Sequence, residues 1–182
     1  MIAIMSDRLV RLLRTLPAKE RRLAEGGLLF HRGDPVTSLF LVLEGTVELA
    51  RHQADGGLLV LQRASPNAVL AEASVFSERY HCDAFAAVRS VVLAVPMGEV
   101  RSRLARSPEF AEAWAEHLAH EVQAARLRSE ILTLKTVARR LDAWLLSHGE
   151  GLPAKGEWKS LAHQIGVSPE ALYRELGRRK AG

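Results

Sequence analysis

The sequence has one cysteine, Cys82, and no long hydrophobic run among its 182 residues. A single cysteine excludes an internal disulfide bond and a multi-cysteine zinc or iron–sulfur site within this chain. The run LFLVL at 39–43 is far shorter than the roughly 20 residues that cross a membrane. The start, MIAIMSDRLV, has neither the basic region nor the apolar length of a signal peptide. We therefore expect a cytoplasmic protein with no membrane partner.

Common catalytic motifs are missing as well. The sequence has no HExxH, GxSxG or P-loop motif, no carboxylate pair in a catalytic context, and no internal repeat of roughly 20–50 residues. We therefore do not expect an enzyme. The sequence does have 48% apolar and 25% charged residues, which is typical of a globular chain.

Residues 158–178, WKSLAHQIGVSPEALYRELGR, predict two short helices joined by a tight turn. Gly166 follows the first helix, at a position where a helix C-terminus favours positive φ. Ser168 and Pro169 suit the N-cap and the first residue of the second helix. The spacing of Ala162, Gly166 and Leu172 is typical of a helix-turn-helix, and an ordinary helical hairpin is the alternative.

Basic residues concentrate around this segment. Residues 135–182 hold nine Lys or Arg and five Asp or Glu, so their net charge of +4 equals that of the whole chain. A local basic surface is what contacts to nucleic-acid phosphates require. The alternative is a solvated cationic C-terminus.

Residues 26–96 predict an antiparallel β-structure. Short β-prone runs, including a strand predicted at 68–76 (AVLAEASVF), alternate with turn signals at 33–35, 55–57 and 65–67, and Gly45 interrupts a strand at a bulge or corner. Several short strands of this kind indicate a small jelly-roll barrel. Before the barrel, residues 6–24 predict two short helices separated at Pro17.

Residues 98–134 predict a long helix, with Ser107 and Pro108 as a capping pair. One apolar stripe could pack on the barrel: Phe110, Trp114, Leu127, Ile131 and Leu134. A narrower seam at heptad spacing suits the close approach of a second helix, and comprises Ala111, Ala115, Leu118, Val122, Ala125, Ser129 and Leu132. Two stripes favour a dimer over a helix packed within a monomer. A further helix is predicted at 135–147.

The stretch 30–51, FHRGDPVTSLFLVLEGTVELAR, resembles the start of a cyclic-nucleotide-binding barrel, with a Gly-Asp turn, an apolar strand and a glycine before an alternating strand. With the helix-turn-helix behind it, the chain from about 10 to 178 resembles the cyclic-AMP receptor protein / fumarate-nitrate-reduction regulator (Crp/Fnr) superfamily of bacterial transcription regulators. The resemblance implies an α+β chain with a cyclic-nucleotide-binding-like jelly-roll sensor barrel at 1–97, a dimerisation helix at 98–134 and a helix-turn-helix DNA-binding domain at 135–182. It implies double-stranded DNA and a second copy of the chain as partners, with RNA polymerase as a further candidate.

In nucleotide-binding members of this superfamily, a Gly-Glu pair opens a short helix, and an Arg-Ser pair some ten residues later holds the cyclic phosphate. Here Glu72 matches the glutamate, whereas Ala71 replaces the glycine and Cys82 and Asp83 replace the Arg-Ser pair. Asp83 would repel the phosphate, and Arg79 is the nearest cation in sequence that could compensate. We therefore expect no tight binding of cyclic AMP or cyclic GMP, and no resident cofactor or metal.

His81 and Cys82 leave three interpretations open. The first interpretation is a redox sensor, and the second is a haem or metal ligand pair. The third is a structural pair, in which Cys82 packs as a small hydrophobic residue and Asp83 makes a local cap. The cysteine count excludes a sensor with a cysteine-bound cluster. The haem-sensing branch has its ligands nearer Ala71 and Ala73, so its ligand set is missing. A lone His-Cys pair favours the structural interpretation.

The resemblance also assigns DNA contacts. Arg174 and Glu170 lie four residues apart and match the residues that read guanine and cytosine. Pro169 cannot make the third contact, which family members make with arginine or serine. The candidates for phosphate contacts are Lys159, Ser168, Tyr173 and Arg178.

Family members continue past the second helix into a β-hairpin wing. This sequence ends at Gly182, four residues after Arg178, so we expect most of the wing to be missing. The leading interpretation is a homodimeric transcription regulator that reads a pseudo-palindromic site without cyclic AMP. The alternative is a dimeric ligand- or partner-binding regulatory module with weak or lost DNA binding.

Overall fold

A computed structural model describes residues 3–52, 58–149 and 151–181. The turn predicted at 55–57 lies outside the described residues. The chain divides into two units, Met1–Leu118 and Ala119–Gly182. No helix within the described ranges combines the length and hydrophobicity needed to cross a membrane.

Most of the N-terminal unit is an antiparallel β-structure flanked by helices. In chain order its elements are α1 (Ala3–Arg14), β1 (Lys19–Leu23), β2 (Leu28–Phe30), β3 (Ser38–Glu44), β4 (Val47–His52), β5 (Leu58–Ala64), β6 (Val69–Leu70), β7 (Asp83–Ala86), β8 (Ser90–Pro96), α2 (Met97–Arg106) and the start of α3 (Pro108–Thr133). The strands form two four-stranded sheets, in the orders β1-β8-β3-β6 and β2-β7-β4-β5, and their pairings are antiparallel. This arrangement confirms the predicted jelly-roll barrel.

The strand β3 explains how the barrel and the helices share one sheet. Its run LFLVL is buried on both faces, because successive side chains point to opposite sides of a strand. Phe40 and Val42 join the cluster inside the barrel. Leu39 and Leu41 join a second cluster, in which α1, α2 and the first turns of α3 cover the outer face of the sheet.

The C-terminal unit is helical. It contains the end of α3, α4 (Val137–His148), α5 (Trp158–Gln164) and α6 (Pro169–Ala181), with a 3₁₀ turn at Lys155–Glu157. The α4 helix begins at the N-cap Thr136, whose side chain accepts a hydrogen bond from the Arg139 N–H. One apolar cluster holds the helices together and contains Ile131, Leu141, Trp144, Leu161, Ala162, Ile165, Leu172 and Leu176.

Two predictions about the N-terminal unit are wrong. The helix predicted after Pro17 is instead the edge strand β1, in which Lys19 lies opposite Ala94 and Leu23 lies opposite Ser90. Only Leu23 of this strand is buried, so the segment has no apolar face that could hold a helix. The strand predicted at 68–76 ends at Leu70, because the chain then turns sharply into a 3₁₀ turn at Glu72–Ser74.

The long helix predicted at 98–134 is two helices, α2 and α3, separated at Ser107. The predicted cap is confirmed, since the Ser107 hydroxyl accepts a hydrogen bond from the Phe110 N–H at 3.3 Å. The apolar stripe on α3 is only partly as predicted. Phe110 and Trp114 pack on the barrel unit, whereas Leu127 and Ile131 pack with the C-terminal unit.

Gly45 makes the corner at which the chain passes from one sheet to the other, which confirms the predicted corner. Its φ is +80°, and a Cβ added there would lie 2.4 Å from the Arg89 carbonyl oxygen. The Ser90 hydroxyl closes the corner, accepting from the Thr46 N–H at 3.0 Å and lying 3.1 Å from the Thr46 carbonyl oxygen.

We expect Gly45→Ala to lower the free energy of unfolding by roughly 2–3 kcal/mol more than Gly33→Ala does, because the added methyl group meets rigid backbone. Gly33 is the matched control, since its φ is also positive, at +90°, but an added Cβ meets no atom within 4 Å. The measurement is urea denaturation followed by far-ultraviolet circular dichroism. Equal losses in the two variants would contradict the close approach at Gly45.

Candidate nucleic-acid interface and effector pocket

The turn between α5 and α6 has the predicted geometry. Gly166 adopts a φ of +64°, and the Val167 N–H donates to the Ala162 carbonyl oxygen at 2.9 Å. Ser168 caps α6, because its hydroxyl accepts from the Ala171 N–H at 3.2 Å. Ala162 is fully buried, which lets the two helices approach closely. The helix-turn-helix prediction is therefore confirmed.

The outer surface of this helix pair carries the predicted polar residues. Glu170 and Arg174 are exposed on α6, one turn apart. Hydrogen bonds from its own backbone N–H and from the Ser168 hydroxyl lower the pKa of the Glu170 carboxyl, and Arg174 and Lys159 lower it further. Glu170 is therefore a charged acceptor at neutral pH. The predicted phosphate candidates Lys159, Ser168, Tyr173 and Arg178 are exposed as well.

Glu175 is a site residue that the sequence reasoning missed. Although it lies on α6 among the basic residues, only 5% of its surface is exposed. Its carboxylate accepts from Arg178 Nη2 at 2.5 Å and from Arg179 Nε at 2.9 Å, and Arg179 also contacts Asp142 at 2.8 Å. The separations of three and four residues were a visible signal for these pairs. Arg178 is therefore partly neutralised by a neighbouring residue on the same helix.

Tyr173 has a packing role besides its exposed surface. Its ring lies 5.7 Å from the ring of Trp158, and Lys180 Nζ lies 5.7 Å from the same indole on α5. These contacts hold α6 against the start of α5.

The seam predicted on α3 is largely uncovered within one chain. Val122 is 48% exposed and Leu132 is 44% exposed. Ala115, Ala125 and Ser129 are also exposed, whereas Ala111 and Leu118 are half-buried. Leu132 has an internal neighbour as well, because its Cδ2 lies beside Gly166.

The barrel contains a small cavity, with a volume of about 90 Å³. Of the five predicted pocket residues, Glu72, His81 and Cys82 line it; the other lining residues are Phe30, Leu49, Leu61, Gln62, Ala71, Ala73 and Ser74. The structure does not bring Arg79 and Asp83 to this cavity.

The side chains of Arg79 and Asp83 instead contact the neighbouring loop at residues 31–33. Arg79 Nη1 donates to the Gly33 carbonyl oxygen at 2.7 Å. The Asp83 carboxylate accepts from the Arg32 N–H at 2.9 Å and lies 3.4 Å from His31 Nδ1. The expected repulsion between Asp83 and a bound phosphate is therefore not a property of this cavity.

Ala71 occupies a conformation that suits glycine. Its φ is +70°, in the left-handed region, directly before the 3₁₀ turn at Glu72–Ser74. An alanine in this region costs about 1 kcal/mol, because its Cβ approaches the following carbonyl oxygen. The turn geometry thus accounts for a glycine at this position in nucleotide-binding relatives.

Cys82 is a poor candidate for redox chemistry. It is 1% exposed and belongs to the hydrophobic core of the barrel. Burial raises the pKa of its thiol to about 11, although Arg51 acts in the opposite direction. Burial also lowers the pKa of His81, whose Nδ1 lies 3.3 Å from the Ser74 hydroxyl. A redox sensor needs an accessible thiolate, whereas this thiol is buried and protonated.

The described residues contain no cluster of three His, Cys, Asp or Glu side chains that could hold a metal ion. Arg51 and Gln62 are further residues at this site that sequence reasoning did not single out. Gln62 lines the cavity, and Arg51 Nε donates to the His81 carbonyl oxygen at 3.1 Å. Gln62 lies on β5 opposite the lining residue Leu49, so the strand register brings it to the cavity, whereas Arg51 on β4 does not line the cavity.

We expect Cys82 to react with iodoacetamide at pH 8 about 100-fold more slowly in the folded protein than in the denatured protein, because its side chain is buried and burial raises the pKa of its thiol to about 11. The measurement is the alkylation rate by mass spectrometry, with and without denaturant. Equal rates under the two conditions would contradict the burial of this thiol.

Comparison with known proteins supports the fold. Residues 20–107 match the family model described as "Cyclic nucleotide-binding domain". The chain is 25% identical over 177 residues to the "Global nitrogen regulator" of Synechococcus elongatus, covering 89% of this chain and 79% of that relative.

Solved structures show the same fold. FixK2 from Bradyrhizobium japonicum is 20% identical with a TM-score of 0.74, covering 91% of this chain and 86% of its own. A transcriptional regulator of the CRP family from Thermus thermophilus is 20% identical with a TM-score of 0.63, covering 88% of this chain and 85% of its own. With a cyclic nucleotide-binding domain at residues 20–107 followed by a helix-turn-helix, the chain is similar to the Crp/Fnr superfamily of regulators.

Proposed function

We propose that this protein is a homodimeric transcription regulator that reads a pseudo-palindromic DNA site through α6 and does not require cyclic AMP. The observation that carries the proposal is the surface of α6, where Glu170 and Arg174 are exposed one turn apart beside a capped N-terminus. The N-terminal residues of such a helix meet base edges when it enters the major groove.

The residues predicted to contact DNA each have a chemistry that suits the proposed role. The Arg174 guanidinium offers two parallel donors to guanine, and the Glu170 carboxylate accepts from the cytosine amino group. Phosphate contacts fall to Lys159, Ser168, Tyr173 and Arg178, which position the protein without reading sequence. Arg178 already pairs with Glu175, so its share of phosphate binding is smaller than that of Lys159.

The exposed seam on α3 supports the dimer. Val122 and Leu132 are large apolar side chains left open to solvent within one chain, and small residues lie between them along the helix. Such a seam buries its apolar surface when a second α3 packs against it. Two reading helices would then meet half-sites about 34–36 Å apart on the duplex.

The cavity in the barrel supports independence from cyclic nucleotides. Its volume of about 90 Å³ is well below the roughly 300–1,000 Å³ of typical small-molecule pockets. No arginine lines it in the described part of the chain, whereas the carboxylate of Glu72 does. An anionic phosphate would therefore lose its hydration without a cation in the cavity wall, since Arg51 does not line the cavity and donates to the His81 carbonyl oxygen.

A second candidate function is a dimeric regulatory module with weak or lost DNA binding. Pro169 at a base-contact position and the pairing of Arg178 with Glu175 favour it, because both reduce the contacts available to DNA. RNA polymerase is a candidate partner only under the first function.

Selection of DNA duplexes from a random-sequence pool, at physiological salt and without added ligand, distinguishes the two candidate functions. The proposal predicts a two-fold symmetric motif with a guanine–cytosine pair in each half-site. It also predicts unchanged affinity for that duplex in excess cyclic AMP. Recovery of no motif would favour the second candidate, and recovery only with cyclic AMP would overturn the proposed independence.

We expect Arg174→Ala to weaken binding to the selected duplex by about 1–3 kcal/mol and to relax preference at the guanine position, because a bidentate base contact is lost. Lys159→Ala is the control, since loss of a phosphate contact weakens specific and random duplexes alike and lowers the salt dependence by about one charge. Binding is measured by fluorescence anisotropy across a salt series. Equal losses for Arg174→Ala on specific and random duplexes would refute its base-reading role.

We expect Val122→Glu to convert the dimer to a monomer without unfolding it, because the change buries a charge in the proposed seam while Val122 is already 48% exposed in one chain. The matched control is Gln123→Glu, which adds the same charge at an exposed position off the seam. Sedimentation velocity gives the mass, and circular dichroism gives the helix content. A dimer that persists in Val122→Glu would place the interface elsewhere.

A further inference from the structure

One arginine in the C-terminal unit binds two separate segments through their backbone. Arg140, in the first turn of α4, donates from Nε to the Leu134 carbonyl oxygen at 2.7 Å and from Nη2 to the Leu132 carbonyl oxygen at 2.9 Å. Its Nη1 lies 2.7 Å from the Gly166 carbonyl oxygen and 3.1 Å from that of Ile165. The four acceptors belong to the end of α3 and to the turn that precedes α6.

Both segments need a donor at these positions. The last carbonyl groups of a helix have no partner within the helix and carry its partial negative charge. Leu132 and Leu134 lie at the end of α3, and Ile165 and Gly166 follow α5. A guanidinium has five donors in a planar fork, so it can satisfy both ends at once, whereas a lysine is a point charge with a different geometry.

The charged guanidinium of Arg140 is hydrogen-bonded to these backbone carbonyl groups. Within the described residues no carboxylate forms an ion pair with it, and its side chain is half-buried. Arg139, its neighbour, is exposed, and its backbone N–H donates to the Thr136 hydroxyl. The two adjacent arginines therefore have different environments, so a substitution at Arg139 is a matched control for the same substitution at Arg140.

Side-chain packing reinforces the same junction. A Cβ added to Gly166 would lie 2.3 Å from Leu132 Cδ2 and 3.2 Å from Arg140 Nη1. The Leu132 side chain and the Arg140 guanidinium thus pack against the turn at Gly166, where they occupy the space that a larger residue would need. The end of α3 and the turn are in direct contact, with Arg140 beside them.

We infer that Arg140 is a positioning residue that fixes the direction of α6 relative to the end of α3. The inference rests on the proposed function, because in a dimer built along α3 this direction sets the distance between the two reading helices. Arg140 then contributes to the choice of half-site spacing without touching DNA. A residue that only stabilised the fold would change affinity for all spacings alike.

The first test uses the full-length protein without DNA. In Arg140→Gln we expect amide hydrogen exchange at 163–168 and at the end of α3 to accelerate by about tenfold or more, since charge-assisted hydrogen bonds are lost. Protection in the barrel and the circular dichroism spectrum should stay as in the wild type. Arg139→Gln is the control and should leave exchange at 163–168 unchanged. Unchanged protection there in Arg140→Gln would overturn the inference.

The second test uses the selected duplex with its half-sites moved apart or together by one base pair. The wild type should prefer the original spacing, and Arg140→Gln should lose at least several-fold of that preference while Arg139→Gln keeps it. Arg140→Lys retains the charge without the fork and should resemble Arg140→Gln; it also serves if Arg140→Gln does not fold. Parallel loss at all spacings, or full recovery in Arg140→Lys, would overturn the inference. If the wild type selects no duplex, the proposed function fails, and the exchange experiment alone decides the role of Arg140.

Discussion

The burial of β3 on both faces is the constraint on which the N-terminal unit depends. One face of its apolar run supplies Phe40 to the barrel interior, and the other supplies Leu39 to the helical layer. A polar residue at either position would place a polar group without a hydrogen-bond partner inside one of the two cores. Because α1, α2 and the first turns of α3 pack on that outer face, the strand also fixes where α3 begins. Between α2 and α3, the backbone of Ser107 is extended, which separates the two helices.

The two candidate sites show opposite uses of burial. In the barrel, packing of Phe30, Leu49 and Leu61 leaves a cavity of about 90 Å³, and the same packing keeps the Cys82 thiol protonated. On the helix-turn-helix, the core is covered and Glu170 and Arg174 lie on the surface, where Glu170 stays ionised. The chemistry of the barrel site is thus enclosed, whereas the helix pair exposes its charged groups to solvent.

Features encoded over a few residues could be predicted from the sequence. The caps at Ser107 and Ser168 and the turn at Gly166 are local, because each depends on neighbours within four or five residues. Features that depend on distant pairing could not. The segment Lys19–Leu23 becomes a strand only because β8, some 70 residues later, offers a sheet edge. The carboxylate of Asp83 turns away from the cavity because the Arg32 N–H is there to donate to it.

Pro169 increases the importance of the proposed role of Arg140 in DNA recognition. At the first position of α6 a proline presets the helical φ and needs no hydrogen bond, so it strengthens the start of the helix. It also removes a side chain that could contact a base, which leaves Glu170 and Arg174 as the proposed base-reading pair. With fewer base contacts in each half-site, discrimination must come increasingly from the geometry between half-sites. A guanidinium that locks the turn before α6 to the end of α3 is suited to supply it, because its four carbonyl partners fix orientation and not only distance.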